Sequence, residues 1–133
     1  RRRETENEKA SLGDVSDVLD WDGLMERIGD PELIINIVES FFEDNPRRIE
    51  LLPDALQSGN VNQVRSLSHA VKGAAATIGA AGLSKAASEL EECAKHNRLS
   101  EGQQFMDRIR KEYLKLEVMV SQEDWASRLT IDE

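Results

Sequence analysis

Hydrophobic residues recur along most of the chain with the period of an α-helix, and no segment shows the alternation of a half-buried strand. The first helical pattern is short. Its apolar residues are spaced i, i+3, i+4 and i+7 and are Trp21, Leu24, Met25 and Ile28. Either Asp20 or Asp22 can cap the start of this helix by accepting a backbone hydrogen bond.

The second pattern is long and contains two prolines. It begins near Asp30, whose side chain can cap the helix, with Pro31 at the first helical position. Its apolar residues are Ile34, Val38, Phe41, Phe42, Ile49, Leu52 and Leu56. Pro46 and Pro53 each remove a backbone hydrogen bond and bend the axis. The pattern therefore predicts one long kinked helix that ends at Gly59.

Three further amphipathic helices follow. The third is predicted from about Val61 to Ile78, with a stop at Gly79 and a short turn, AAGL, after it. The apolar stripes of the fourth and fifth are Leu83, Ala86, Ala87, Leu90 and Ala94, and Phe105, Ile109, Tyr113, Leu116 and Val120. Short connections imply antiparallel neighbours. We therefore expect an all-α fold, an antiparallel up-and-down four-helix bundle with an additional short N-terminal helix.

Two segments without a sustained apolar period flank this region. Residues 1–17 mix charged and small polar side chains, which is typical of a linker or disordered tail. Residues 18–120 form the predicted domain. In the C-terminal tail, residues 121–133, Trp125 and Leu129 stand at i and i+4, so the tail either docks on the bundle as a helical turn or remains disordered.

Composition narrows the class of protein. The 133 residues, 39% hydrophobic and 32% charged, suit a single domain with one modest core. A net charge of -9 argues against a nucleic-acid partner and against a polybasic membrane contact. The single cysteine, Cys93, allows no internal disulfide and is expected to be a small buried residue in a reducing cytoplasm. We expect a cytoplasmic chain that is monomeric in isolation.

The third predicted helix has two unlike faces. At about 100° per residue, one wedge contains the apolar residues Val64, Leu67, Val71, Ala74, Ala75 and Ile78. The outward face contains Arg65, His69, Lys72, Gly73 and Ala76. A glycine inside a helix costs about 1 kcal/mol relative to alanine, and on an outward face no core packing offsets that cost. A bare surface beside an exposed imidazole is typical of a docking site.

His69 is the candidate reactive residue on this face. An exposed neutral imidazole offers a nucleophilic ring nitrogen. A hydrolytic triad is not indicated, because no adjacent serine or cysteine has a third orienting group. A metal site is not expected, because His96, the other histidine, shares no ligand spacing with His69. Lys72, one turn away, would stabilise an attached group that carries about two negative charges, which favours phosphoryl acceptance.

The stretch HAVKGAAATIGAAGL resembles the His-x-x-Lys-Gly signature of histidine-containing phosphotransfer (HPt) domains. The upstream LIINIVESFFEDNPRRIELLPDAL and the downstream LSKAASELEECAK are similar to the helices that flank the signature in this family, so the resemblance covers roughly residues 18–120. It implies that His69 is phosphorylated, that Lys72 neutralises the phosphoryl charge and that Gly73 clears space for a receiver domain.

The resemblance also suggests a role for one residue on the next helix. Family members often place a polar residue there that hydrogen-bonds the other ring nitrogen of the histidine, and Glu91 stands at the matching position. Its carboxylate is a candidate for orienting His69. Arg65 and Ala76 complete the candidate binding residues on the outward face.

The function implied by the resemblance is that of a phosphorelay intermediate, which accepts a phosphoryl group from one receiver aspartate and passes it to another. The expected partners are receiver domains of response regulators or of a parent hybrid sensor kinase. The domain binds no cofactor, and the receiver supplies Mg²⁺. The sequence contains no nucleotide-binding glycine loop, as expected of a carrier without kinase activity. The sequence leaves open whether the domain stands alone or forms the cytoplasmic end of a membrane-bound hybrid kinase, and the leading linker and the start at Arg1 rather than Met favour the second alternative.

Two other functions stay open at this stage. The phosphorylated domain of chemotaxis-type kinases shares the signature, and only the rest of a full-length chain would distinguish it. A non-catalytic helical adaptor bundle predicts that replacing His69 leaves function intact. A dimerising histidine-kinase core is disfavoured, because HAVKGAA lacks the acidic residue that follows the histidine in that class.

Overall fold

Five α-helices make up most of the structure, a computed structural model that describes residues 19–121. The helices are α1 (Trp21–Ile28), α2 (Pro31–Gln57), α3 (Val61–Thr77), α4 (Ala81–Lys95) and α5 (Gln103–Ser121), with a 3₁₀ turn at Leu99–Glu101. No strand occurs between residues 19 and 121. Helix α3 packs on α2 and α4, α5 packs on α4 and α2, and α1 packs on α2. The predicted all-α bundle with a short N-terminal helix is confirmed.

Side-chain caps and left-handed glycines set the helix ends. Of the two candidate caps for α1, Asp20 accepts a hydrogen bond from the backbone N–H of Gly23 at 3.1 Å. Asp30 caps α2 by accepting from the backbone N–H of Glu32 at 3.0 Å. Three glycines with φ between 73° and 76° follow the first three helices and are Gly29, Gly59 and Gly79. Glycine adopts this conformation without strain, so each allows a sharp reversal of the chain.

Helix α2 continues through both of its prolines. Pro46 lacks the N–H that would continue the helical hydrogen-bond ladder. Next to it, the buried side chain of Asn45 donates from Nδ2 to the carbonyl of Phe41 at 3.0 Å. Arg48 in turn donates to Oδ1 of Asn45 at 3.1 Å. These bonds satisfy a polar side chain in the core next to the interrupted ladder.

The core draws apolar residues from all five helices. The largest fully buried side chains are Leu19, Leu24, Ile34, Val38, Leu52, Val64, Ile78, Leu83, Leu90, Met106, Ile109 and Leu116. Every apolar residue predicted for α4 is buried, as is Cys93. On α1, Trp21 and Leu24 are buried, whereas Met25 is exposed.

Two local predictions were wrong. The stripe predicted for α5 is confirmed at Ile109 and Leu116 but is wrong at its two ends, where Met106 and Met119 lie in the core and Phe105 and Val120 lie at its margin. The sequence AAGL is not a separate turn: Gly79 alone reverses the chain, Ala80 is the N-cap, and α4 begins at Ala81.

The predicted linker at residues 1–17 and the tail from residue 122, with Trp125, lie outside the described residues. The domain limits proposed from the sequence therefore stay predictions. Among the described helices, none has an apolar stretch of the length required to cross a membrane.

Candidate functional site

The outward face of α3 lies beside α4, the helix on which α3 packs most extensively. Both helices bury small side chains, namely Ala75 on α3 and Ala86 and Ala87 on α4. Because the separation of packed helices depends on the size of the buried side chains, such residues are consistent with a close approach. A side chain on the margin of α4 can therefore reach the outward face of α3.

Glu91 makes that connection. Its Oε2 lies 2.9 Å from Nδ1 of His69, and its Oε1 lies 2.7 Å from Nζ of Lys72. The Glu91 side chain is only 5% exposed, whereas the His69 side chain is 68% exposed and that of Lys72 is 33% exposed. One buried carboxylate thus joins an exposed imidazole to an ammonium group.

The charge of Glu91 determines the state of the imidazole. Burial by itself raises the pKa of the Glu91 carboxyl, but the hydrogen bonds and charges of Lys72 and His69 outweigh burial and hold the pKa below its ordinary value of 4.5. Glu91 is therefore ionised at neutral pH, and an ionised carboxylate only accepts hydrogen bonds. In the neutral imidazole, Nδ1 must carry the proton, and the lone pair is on Nε2.

The remaining residues of the predicted face surround this group. Arg65, Gly73 and Ala76 are all exposed. A Cβ atom placed on Gly73 would meet no heavy atom within 4 Å. At Gly102, by contrast, it would lie 2.9 Å from Leu56 and 3.0 Å from Leu90. Gly73 therefore has no packing role among residues 19–121 and leaves bare backbone next to the imidazole.

Two open grooves adjoin the site. One, of about 460 Å³, is lined by Asn62, Arg65, Ser66, His69, Glu91 and Lys95. The other, of about 530 Å³, is lined by Asp20, Lys72, Ala76, Gly79, Ala81, Ser84, Lys85, Ser88 and Glu89. The imidazole and the ammonium group thus face different grooves, with Glu91 between them.

Sequence analysis missed a polar stripe on α4 that faces the site. Its members are spaced i, i+4, i+7 and i+11 and are Ser84, Ser88, Glu91 and Lys95. The hydroxyl of Ser84 donates to the backbone carbonyl of Lys72 at 3.2 Å, which ties α4 to α3 beside the site. The helical spacing of these polar residues indicates a polar, solvent-accessible face of α4, in addition to the apolar stripe that the same helix buries.

His96 lies apart from this group, at the C-terminal end of α4. Its Nε2 is 3.3 Å from Oε1 of Glu92, and both side chains are more than half exposed. Within residues 19–121, no three His, Cys, Asp or Glu side chains are arranged to hold a metal ion. The site is therefore built from His69, Glu91 and Lys72 with the bare surface at Gly73.

Comparison with protein families gives one match, to a family model described as Hpt domain, over residues 36–119. The match covers well over half of the chain and includes α3, α4 and the site. Comparisons with curated proteins and with solved structures found no match. The chain belongs to the Hpt domain family, whose members carry out histidine phosphotransfer in two-component signalling and interact with receiver domains.

Proposed function

We propose that this domain is a phosphorelay intermediate in which Nε2 of His69 accepts a phosphoryl group from a receiver aspartate and passes it to another receiver aspartate. The observation that carries the proposal is the 2.9 Å bond between Nδ1 of His69 and buried Glu91. This bond orients the exposed ring and assigns the nucleophilic lone pair to Nε2.

The transfer step needs no group from this chain other than the imidazole to make the new bond. The Nε2 lone pair attacks phosphorus while the bond from phosphorus to the aspartate oxygen breaks, and that electron pair stays on the aspartate carboxylate. In this proposal the receiver supplies the aspartyl phosphate and the Mg²⁺. The domain contributes a positioned nucleophile, a nearby cation and an open docking surface.

Lys72 provides the nearby cation. Its ammonium is held 2.7 Å from Glu91 rather than extended into solvent, so it stays close to the imidazole. A phosphoryl group on His69 would carry about two negative charges, which this ammonium would stabilise. Replacing Lys72 with Ala should slow transfer. The chain should still fold but be less stable, because Oε1 of buried Glu91 loses its partner.

The docking surface is the part of α3 around Gly73. Gly73 and Ala76 are exposed and small, and Arg65 adds a positive charge one turn before His69. A receiver must bring its aspartyl phosphate to within bonding distance of Nε2, which requires close approach of the two backbones. Bulk at Gly73 should therefore block the partner without disturbing the fold.

A transfer assay with radiolabelled phospho-receivers from the same source tests the proposal. We expect a cognate receiver to label the chain, the label to be acid-labile and alkali-stable, and an unlabelled receiver to remove it. His69→Gln should abolish labelling. His96→Gln is the matched control, since His96, at the C-cap of α4, is also an exposed histidine beside a carboxylate, and this variant should be labelled normally.

Incubation with ATP and Mg²⁺ alone separates a carrier from a kinase. We expect no label under these conditions. Labelling by ATP alone, or label that persists in His69→Gln, would overturn the proposal. Failure of every cognate receiver to transfer would favour an adaptor bundle instead.

A further inference from the structure

The buried carboxylate of Glu91 faces the ring nitrogen that does not react. Each of its oxygens has one partner: Oε2 contacts Nδ1 of His69 and Oε1 contacts Nζ of Lys72. With 5% of the side chain exposed, water has little access to replace either partner. What happens at Nδ1 after Nε2 is phosphorylated therefore depends on this carboxylate.

Phosphorylation leaves Nδ1 with two possible states. If Nδ1 keeps its proton, the phosphorylated ring is a cation, and the departing group in the next transfer is neutral imidazole. If Nδ1 loses the proton, the departing group is an imidazolate anion, which is a far poorer leaving group. The proton on Nδ1 therefore decides how readily the bond between Nε2 and phosphorus breaks.

The geometry favours the protonated state. An ionised carboxylate at 2.9 Å accepts a hydrogen bond from an N–H group, but it repels a nitrogen lone pair in the same place. Loss of the proton would also leave Oε2 of Glu91 buried without a partner, which is costly. The two negative charges of the phosphoryl group act in the same direction.

Three cations near the ring act in the opposite direction. Arg65 and Lys72 lie on α3. Lys95 lies on α4 and lines the groove that also contains Arg65 and His69. Lys72 is paired with Oε1 of Glu91, and Lys95, whose side chain is 40% exposed, lies 3.6 Å from Glu92. Arg65 is exposed to solvent. Pairing and solvent screening weaken their effect, whereas Glu91 is in direct contact with the ring.

We propose that Glu91 is a positioning residue that retains the Nδ1 proton of His69 in the phosphorylated state and so keeps the phosphoryl group ready to leave. This inference rests on the proposed function. The cycle then needs no base: the bond from phosphorus to aspartate oxygen breaks as the bond to Nε2 forms, and the Nδ1 proton stays on the ring. In the onward step the electron pair returns to Nε2, and neutral imidazole is restored.

The test uses the whole chain phosphorylated by phosphoramidate, a small donor that needs no receiver. The rate of phosphohistidine hydrolysis is measured against pH for the unaltered chain, Glu91→Gln and Glu92→Gln. An uncharged amide can accept from a protonated Nδ1 or donate to the lone pair of an unprotonated one, so in Glu91→Gln the preference for the protonated ring is lost. As pH rises, the hydrolysis rate of phosphorylated Glu91→Gln should begin to fall at a pH about one unit lower than that of the unaltered chain. At alkaline pH the phosphorylated variant should therefore last about tenfold longer.

Glu92→Gln is the matched control, because it makes the same charge change on the next residue of α4. That carboxylate is half exposed and pairs with His96 and Lys95, not with His69, and the exposed ammonium of Lys95 is screened by solvent in either case. Its hydrolysis profile should equal that of the unaltered chain. A Glu91→Gln profile that coincides with both would overturn the inference and leave the proposed function standing. A chain that phosphoramidate labels on His69 but that no cognate receiver labels would contradict the proposed function instead.

A measurement on the unaltered chain covers the case in which Glu91→Gln does not fold. The chain has two histidines, so ¹⁵N-histidine labelling gives two sets of ring signals. After phosphorylation, the Nδ1 signal of His69 shows the pH at which this nitrogen loses its proton. In the folded chain this pH should be about one unit higher than in the phosphorylated chain unfolded in urea. Equal titration in the folded and unfolded chains would overturn the inference.

Discussion

Among residues 19–121, three polar side chains are buried, and they are satisfied in different ways. Asn45 donates to Phe41 O at 3.0 Å and Ser68 to Val64 O at 2.6 Å, so both bond to carbonyls of their own helices. Glu91 instead depends on side chains from another helix. Desolvating a carboxylate and its charged partner costs free energy on folding, and removing one partner of the buried pair is strongly destabilising. Such a pair is consistent with a functional position rather than a stabilising one.

The acid side of the stability profile should report the ionisation of Glu91. Its pKa is below 4.5 in the fold, because Lys72 and His69 outweigh burial. A carboxyl whose pKa is lower in the folded chain than in the unfolded chain stabilises the fold at any pH above its unfolded-state pKa. This stabilisation is lost as pH falls through its folded-state pKa. The free energy of unfolding should therefore fall as pH drops below about 4.5, and Glu91→Gln should lack this part of the decline.

Urea unfolding of the two chains across this range measures the effect. Glu92→Gln serves as the control and should retain the full decline, because its carboxylate is exposed and pairs elsewhere. If the free energy of unfolding falls equally steeply with decreasing pH in Glu91→Gln and in the unaltered chain, the Glu91 carboxyl has no depressed pKa.

Gly73 is the position where stability and function should separate. Because a side chain there meets nothing within 4 Å, Gly73→Ala should stabilise the chain by about 1 kcal/mol through helix propensity alone. Gly73→Gln should keep or raise the melting temperature and yet slow transfer from a phospho-receiver. Thermal unfolding followed by circular dichroism, with the transfer assay, checks both effects.

Gly102→Ala provides the contrast, since its Cβ would press on Leu56 and Leu90 in the core and should lower the melting temperature. If Gly73→Gln unfolds instead, the glycine has a packing role, and the idea of a bare docking surface is wrong.

At the scale of helices, the contact between α2 and α5 is aromatic. The Phe42 ring packs edge-on against Phe41 with centroids 5.2 Å apart, and its centroid lies 5.7 Å from that of Tyr113. Phe41 and Tyr113 are 6.4 Å apart. These separations lie in the favourable range for aromatic pairs, so the cluster helps α5 to close the bundle on α2.

Tyr113 reports on this contact through its ionisation. Burial, with smaller contributions from the nearby charges of Glu117 and Glu50, raises its pKa from 10.0 to about 12. A hydroxyl whose pKa is higher in the folded chain than in the unfolded chain stabilises the fold at any pH below its unfolded-state pKa. This stabilisation is lost as pH rises through its folded-state pKa. We therefore expect the bundle to weaken between about pH 10 and pH 12, and less so in Tyr113→Phe.

Because the chain has one tyrosine, ultraviolet absorbance of the tyrosinate follows this group alone. The titration should occur near pH 12 in the folded chain and near pH 10 in concentrated urea. Ionisation near pH 10 with full helix content retained would contradict the buried aromatic contact.

Helices were predictable from the sequence to within a few residues, because caps such as Asp30 and stops such as Gly79 are local signals. The register of α5 was less predictable. Ile109 and Leu116 are buried as predicted, but packing against α4 and α2 decides that Met106 and Met119, rather than Phe105 and Val120, complete the buried stripe. Local periodicity contains no information about that choice.

At the scale of the whole molecule, the bundle and the outward face of α3 could be inferred from the sequence, but the arrangement of the site could not. His69 and Glu91 are 22 residues apart, and their contact depends on how closely α3 and α4 pack. The resemblance pointed to Glu91 as a candidate partner. Its ionised state, which fixes the tautomer of His69, follows only from the distances to Lys72 and His69.

Cys93 gives a probe of how cooperatively the bundle opens. It is the only cysteine, is 3% exposed, and has a thiol pKa raised by burial together with nearby Glu101 and Glu89. The thiolate is the reactive form, so a thiol reagent should modify the folded chain far more slowly than the unfolded one. The rate measured against urea should follow the loss of helix. Fast modification of the folded chain would mean that α4 opens locally.

The most direct test of the central claim is to locate the phosphoryl group after transfer from a cognate phospho-receiver. Nuclear magnetic resonance of the ¹⁵N-histidine-labelled chain shows which ring nitrogen is coupled to ³¹P. We predict coupling to Nε2 of His69, since Nδ1 is bonded to Glu91. Coupling to Nδ1, or to either nitrogen of His96, would contradict the account.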